Sequence, residues 1–242
     1  MLLNGDKELG DVMKKDTMLN IALVVVSVSA VVLTGTALAT TLRAPSGPRD
    51  PEPGSQVLAV PVKDWEALTQ HGHRVGEATA AITVVEFADF QCSYCAGAAA
   101  TLDSLRAAYP NQVAVLYRHY PLTRIHPHAR GASIASVCAE RQGAFKPFHD
   151  ALYAFQDSIG KRPWSWFALR AGLLDTAALA HCIANDRSAP ATVDRDVADG
   201  DRIGVSGTPT VLINGHRLLA APTYDVVDSI ARVALRQQRI RE

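Results

Sequence analysis

Cys92-Ser93-Tyr94-Cys95 constrains this chain more than any other stretch, because of the patterns on either side of it. Upstream, Ile82-Thr83-Val84-Val85-Glu86-Phe87 is a β-branched apolar run that predicts a buried strand. Downstream, Ala96 to Tyr109 is rich in Ala and Leu, with neither Pro nor Gly after Gly97, which predicts a helix. The first cysteine therefore stands where a strand turns into a helix. There, unpaired N–H groups and the helix dipole favour an anion. A thiol so placed has its pKa lowered, and the thiolate is the form that attacks disulfides. Cys95, three residues on, shares the helical face and lies within reach to close a disulfide with Cys92. Two other uses of the pair fit less well. A disulfide across two residues removes little chain entropy and makes a poor staple. Zinc needs two further ligands, and Cys138 and Cys182 stand far apart and singly. The local reading is a dithiol–disulfide redox centre.

The two ends of the chain bear on where such a centre works. The 242 residues suffice for one domain with an insertion or extension. Lys plus Arg and Asp plus Glu each total 24, so no global basic field exists to attract nucleic acid. Ile21 to Ala39 carries no charge, and as a helix it spans roughly 28 Å, about the thickness of a bilayer core. Lys14 and Lys15 precede it, consistent with a cytoplasmic N-terminus and a retained single-pass anchor in the cell membrane. Ala37-Leu38-Ala39 has the small residues of a cleavage site, so a removed signal peptide and a secreted or periplasmic product is the second reading. A buried soluble helix is the third. Either of the first two puts the rest of the chain outside the cytoplasm. Pro45, Pro48, Pro51 and Pro53, with Gly47 and Gly54, predict an extended spacer. The expected organisation is a cytoplasmic segment 1–20, a transmembrane or signal helix 21–41, a linker 42–56 and a folded domain 57–242.

Within that domain, Gln112 to His119 reads as a second strand, making a strand–helix–strand unit with parallel strands and a right-handed crossover. From about His126 to Gly200 the pattern is helical. Ala129 to Gln142, Phe145 to Gln156, Trp164 to Leu173 and Asp175 to Asn185 each place apolar residues three and four apart. Asn214-Gly215 between the apolar runs Thr210–Ile213 and His216–Ala220 predicts a hairpin. Thr223 can cap a last helix through about Gln237.

This order, with three motifs, resembles the DsbA-like thiol-disulfide oxidoreductases over roughly Val57 to Gln238. Val85 to Cys95 looks like the family's strand running into its active-site helix. Gly204-Val205-Ser206-Gly207-Thr208-Pro209-Thr210 looks like its cis-proline loop. His119-Tyr120-Pro121-Leu122 and His126-Pro127-His128-Ala129 look like the approach to its helical domain. The resemblance implies an α/β thioredoxin-like fold with a helical insertion at about 124–200. It implies Cys92 as the exposed nucleophile, Cys95 as the resolving thiol and Glu86 as a buried acid that relays protons. Read from the strand alone, Glu86 could equally face solvent or pair with a Lys or Arg. The resemblance further implies a cis Thr208–Pro209 bond, with Thr208 backbone groups ready to pair with a substrate strand. Ser93 and Tyr94 would tune the potential. They match neither the Pro-His of strong oxidants nor the Gly-Pro of reductants, so the direction of electron flow stays open.

The function so implied is disulfide exchange with exported cysteine-containing proteins, as an oxidase, with no cofactor beyond the Cys92–Cys95 disulfide. Its electron acceptor would be a quinone-linked membrane enzyme of the DsbB or vitamin K epoxide reductase type. A reductase or isomerase, or a membrane-tethered peptide-binding module, are the other readings. Cys138 and Cys182 fall on apolar faces of two helices. In an oxidising compartment two thiols facing one core join, which favours a Cys138–Cys182 bond over two free buried thiols. His126 and His128, beside Pro127, suit caps or surface positions better than metal ligation.

Overall fold

A computed structural model gives the fold of residues 59–241. The expected segments 1–20, 21–41 and 42–56 lie outside the described residues. Among the described residues no helix is long and apolar enough to cross a membrane.

The sheet is built around the apolar run that precedes the cysteines. Its six strands are β1 (Ala59–Pro61), β2 (His73–Val75), β3 (Ile82–Ala88), β4 (Val113–His119), β5 (Thr210–Ile213) and β6 (His216–Leu218), in the spatial order β1-β6-β5-β3-β4-β2. Only β3 and β4 are parallel, and α1 (Ser93–Ala108) crosses between them. That crossover is the connection a parallel pair requires. β3 lies at the centre, with Glu86 opposite Tyr117 of β4 and Val211 of β5.

Strand alternation sends successive side chains to opposite faces. Ile82, Val84, Val211 and Ile213 pack with Leu102 and Leu105 of α1 and with Val227, Ala231 and Leu235 of α7 (Tyr224–Arg241). Val85, Phe87 and Leu212 pack on the other side with Leu68 and Val205. Glu86 shares the parity of Val84 and therefore faces the active-site helix. The β5–β6 hairpin turns at Asn214 (φ 44°) and Gly215 (φ 81°), the left-handed pair that a two-residue loop needs. Gly215 is also required sterically, since a Cβ there would lie 2.4 Å from the Trp65 ring.

Between β4 and β5 the chain forms five α-helices, α2 (Ala129–Glu140), α3 (Phe145–Ala154), α4 (Trp164–Arg170), α5 (Thr176–Asn185) and α6 (Ser188–Arg202), and a short 3-10 helix at Gln156–Ser158. Three of them, α2, α3 and α4, stop short of their expected ends. α2 stops before Gly143 (φ 71°) and α4 before Gly172 (φ 73°), where left-handed glycines turn the backbone out of the helix. α6 was not separately expected. Its Pro190 sits in the first turn, where no intrahelical N–H bond is lost. β1 and β2 were not expected either, because three residues are too few for a period to show.

A buried ion network ties the insertion to the sheet. Arg118 of β4, fully buried, reaches Asp196 of α6 (Nε to Oδ1 2.7 Å) and Asp199, and donates to the Leu68 carbonyl at 2.6 Å. Asp196 also accepts from the His119 backbone N–H at 3.0 Å. α6 is thereby held against β4, and its C-terminal end feeds the loop that carries Thr208.

Candidate active site

The backbone leaves β3 through a tight turn, with Cys92 N–H donating to the Asp89 carbonyl at 3.1 Å, and Cys92 becomes the N-cap residue of α1. The first turn of α1 carries no acidic side chain to compete for its N–H groups. Both active-site cysteines are free thiols. The Cys92 thiol is drawn down to about 5, chiefly by a hydrogen bond from the Cys95 thiol. Donation from the Thr208 hydroxyl and from the N–H groups of Cys95 and Tyr94 adds to this, against the opposing effect of burial. Cys95 is pushed strongly upward by burial, by its bond to Cys92 and by the nearby Glu86 carboxylate. One sulfur is thus ready as an anion while its neighbour holds the proton.

Cys92 is the more accessible of the two thiols, but only narrowly: it keeps 6 % of its surface, against none for Cys95. The crowding comes from two distant segments. The Thr208 carbonyl lies 3.4 Å from Cys92 Sγ, and the Gln156 side-chain amide donates to the Cys92 carbonyl at 2.9 Å and to the Phe90 carbonyl at 2.8 Å.

The Thr208–Pro209 peptide is cis. The Thr208 hydroxyl is buried and donates to no other group among the described residues, which leaves its hydrogen to the Cys92 sulfur. Ser93 and Tyr94 are both exposed, Tyr94 to 73 %. The Tyr94 contribution to the thiolate comes from its backbone N–H, and neither side chain is among the groups that shift Cys92.

Glu86 neither faces solvent nor meets a cation. It is 1 % exposed, and its Oε1 has no hydrogen-bond partner among the described residues. Burial, with the charges of Asp103 and Cys92 adding, raises its carboxyl to about 8. Beside it is a cavity of about 20 Å³, room for one water. Asp103, Arg106, Lys146 and His149 also line this cavity. Lys146 and Arg106 both bond to Asp103 (2.9 and 3.2 Å) and not to Glu86. A carboxyl raised to about 8 thus lies close enough to Cys95 for its charge to push that thiol up, beside a cavity partly lined by polar side chains.

Two supporting residues were not singled out by sequence. Asp89 is fully buried just past β3. Its carboxylate accepts from the N–H groups of Gln91 and Leu122, both at 2.7 Å, and lies 2.8 Å from His126 Nδ1. Its own N–H donates to Cys95 Sγ at 3.5 Å. Asp89 thus pins the 122–126 loop against the cysteine turn. A short polar side chain two residues before its own N–H partner is a turn signature that was available in the sequence. Gln156 had no such signal, since its partners lie 64 and 66 residues away. His128 is the N-cap residue of α2. Among the described residues no group of three or more His, Cys, Asp or Glu is arranged to hold a metal ion.

Cys138 of α2 and Cys182 of α5 are joined in a disulfide, with Cα atoms 5.8 Å apart. It lies in the same apolar cluster as Cys92 and Cys95, which spans the junction between the insertion and the thioredoxin-like core.

The thioredoxin family model matches residues 68–231, a stretch containing Glu86, both active-site cysteines, Thr208 and Pro209. The chain belongs to the thioredoxin family. A solved thioredoxin-like oxidoreductase from Silicibacter pomeroyi is 26 % identical, with a TM-score of 0.57, covering 66 % of this chain and 91 % of that one. BdbD from Bacillus subtilis in its oxidised form is 19 % identical, with a TM-score of 0.60, covering 74 % and 98 %. DsbA2 of Pseudomonas aeruginosa is 23 % identical, with a TM-score of 0.55, covering 66 % and 92 %. The last two show a shared fold: a DsbA-like thioredoxin fold with a helical insertion. Among sequence relatives, the Na(+)/H(+) antiporter NhaA 3 of Salinispora tropica is 36 % identical over 169 residues, which is 70 % of this chain and 26 % of that protein. The NhaA antiporter of Herminiimonas arsenicoxydans is 32 % identical over 173 residues, 70 % and 27 %. The chain thus spans about a quarter of the length of the curated relatives it matches. In this thioredoxin-family chain the chemistry to explain is the pair of thiols, one acidified and one buried, beside a cis-proline loop.

Proposed function

We propose that this chain is an extracytoplasmic thiol-disulfide oxidoreductase that introduces disulfides into exported proteins. The observation that carries the reading is the Cys92 sulfur, acidified to about 5 at the start of α1 and facing the Thr208 loop. In the oxidised enzyme a substrate thiolate attacks Cys92 Sγ. A mixed disulfide forms, the Cys92–Cys95 bond breaks, and Cys95 departs as a thiolate that takes up a proton. A second substrate thiolate then attacks the substrate sulfur of the mixed disulfide and expels Cys92 as a thiolate. The substrate loses two electrons and two protons. The enzyme disulfide gains the electrons, one proton stays on Cys95 and the other goes to solvent.

The roles follow from the site. Cys92 is a good leaving group because its thiolate is stabilised, and that stabilisation favours the reduced enzyme. This is the property of an oxidant. Cys95 departs into a buried site where its thiolate is disfavoured, and Glu86 delivers the proton it needs, a role supported by a carboxyl raised to about 8 whose charge acts on Cys95. Thr208 offers its carbonyl and hydroxyl to an incoming strand, and Ser93 with Tyr94 forms the exposed lip across which the substrate arrives. Turnover requires no cofactor other than the Cys92–Cys95 pair, and reoxidation by a quinone-linked membrane oxidase of DsbB or vitamin K epoxide reductase type would complete the cycle. An N-terminal anchor would hold the domain beside that partner. Na(+)/H(+) exchange does not carry over to this chain, because that name belongs to relatives of which it matches about a quarter.

Catalysed reoxidation of a reduced, unfolded disulfide-containing substrate tests the reading. The full chain accelerates it. Cys92→Ala abolishes the acceleration and Cys95→Ala traps the mixed disulfide. An unaffected rate in Cys92→Ala would contradict the assignment and favour the peptide-binding module.

A further inference from the structure

Beside the nucleophile lies a set of cations that the exchange chemistry does not use. Gln156, whose amide holds the Cys92 carbonyl, follows Phe155, an aromatic that is 40 % exposed. Phe155 meets Trp166 edge to face, with ring centroids 5.2 Å apart. Arg170 lies over the Trp166 ring at 3.2 Å and 5.3 Å from Phe155, while Arg162 lies 5.8 Å from the same indole. Both guanidinium groups thus sit against one ring, and both residues are exposed. No salt bridge among the described residues includes either. Lys161 adds a third exposed cation, against one exposed acid, Asp157.

Stacking on an aromatic face fixes a guanidinium and strips water from one side, so less order is lost when its outward donors engage a carboxylate. Two such groups on one platform suit a pair of neighbouring carboxylates. The platform is continuous with the nucleophile through Gln156. A protein whose cysteine reaches Cys92 can lay its flanking residues across the platform, which adjoins Gln156 through Phe155. We propose that this rim docks an acidic segment next to the exchanging cysteine of the substrate protein, an inference that rests on the oxidoreductase reading above. Anionic lipid headgroups share the charge, but a membrane seated here would cover the approach to Cys92.

The test compares two cysteine peptides that differ only in flanking Glu or flanking Lys residues, by stopped-flow exchange with the oxidised full chain. The Glu peptide should react about tenfold faster at low salt, and about 0.5 M salt should remove most of the difference, because steering of this kind is screened. Arg162→Glu should reverse the preference, and the milder Arg170→Gln should weaken it severalfold. Because Arg170 packs on Trp166, the salt titration of the unaltered chain gives a reading that no folding defect can disturb. Equal, salt-independent rates for the two peptides would overturn the docking claim alone. So would variants that lose binding to vesicles containing phosphatidylglycerol while keeping the peptide preference, which would assign the rim to the membrane. A chain that exchanges with neither peptide nor with dithiothreitol would defeat the oxidoreductase reading, and this claim with it.

Discussion

At the scale of single residues, the site depends on two acids held far from their ordinary behaviour by opposite causes. Donors gathered around Cys92 pull it down, and burial, with the charges of Asp103 and Cys92 adding, pushes Glu86 up. The second has a consequence for stability. A group whose folded pKa is raised from 4.5 to about 8 contributes fully below pH 4.5, and that contribution is lost as the pH rises toward 8. A gap of one pH unit between folded and unfolded pKa is worth about 1.4 kcal/mol, so the loss amounts to a few kcal/mol over that window. Glu86→Gln carries no such titration. Urea unfolding of the reduced proteins at pH 5 and pH 8 should therefore show the variant gaining on the parent by a few kcal/mol as the pH rises. Parallel behaviour at the two pH values would mean that Glu86 ionises freely. The proton-relay role is read from the same variant, whose exchange rate should lose its dependence on pH near 8.

At the scale of elements, α2 and α5 are stitched by Cys138–Cys182 across 44 residues. Closing a loop of that length limits the unfolded chain by about 4 kcal/mol in the entropy account, and measured values run at about 2–4 kcal/mol. The double variant Cys138→Ala/Cys182→Ala should lose stability in that range by denaturant titration. An unchanged midpoint would show that core packing alone holds the two helices.

The elements also show what a sequence can and cannot display. The β3–α1–β4 unit and the Asn214-Gly215 hairpin were legible, because period and turn chemistry are local properties. The short β1 and β2 were not, since they exist through pairing with β6 and β4 and not through a pattern of their own. The orientation of Glu86 was also hidden. A central strand covered on both faces has no polar–apolar alternation to read, so only the packing of α1 and α7 reveals that the carboxyl points inward.

At the scale of the whole molecule, the candidate site is assembled from segments that no local pattern joins. The Cys92–Cys95 turn was evident by itself. The Thr208 loop meets it from 116 residues away, and the insertion supplies Gln156 from 64. Arg118, Asp196 and Asp199 hold the insertion against the sheet, so the approach to the thiol is a property of how the two parts dock. That assembly bears on the direction of electron flow, because every donor it aims at Cys92 favours the thiolate and hence the reduced state. Equilibrating the full chain with defined mixtures of reduced and oxidised glutathione, and reading the fraction of Cys92–Cys95 disulfide, measures the sum of these effects. A stabilised thiolate predicts a potential near the oxidising end, about −120 mV; a value near −270 mV, where the disulfide is the favoured form, would contradict it.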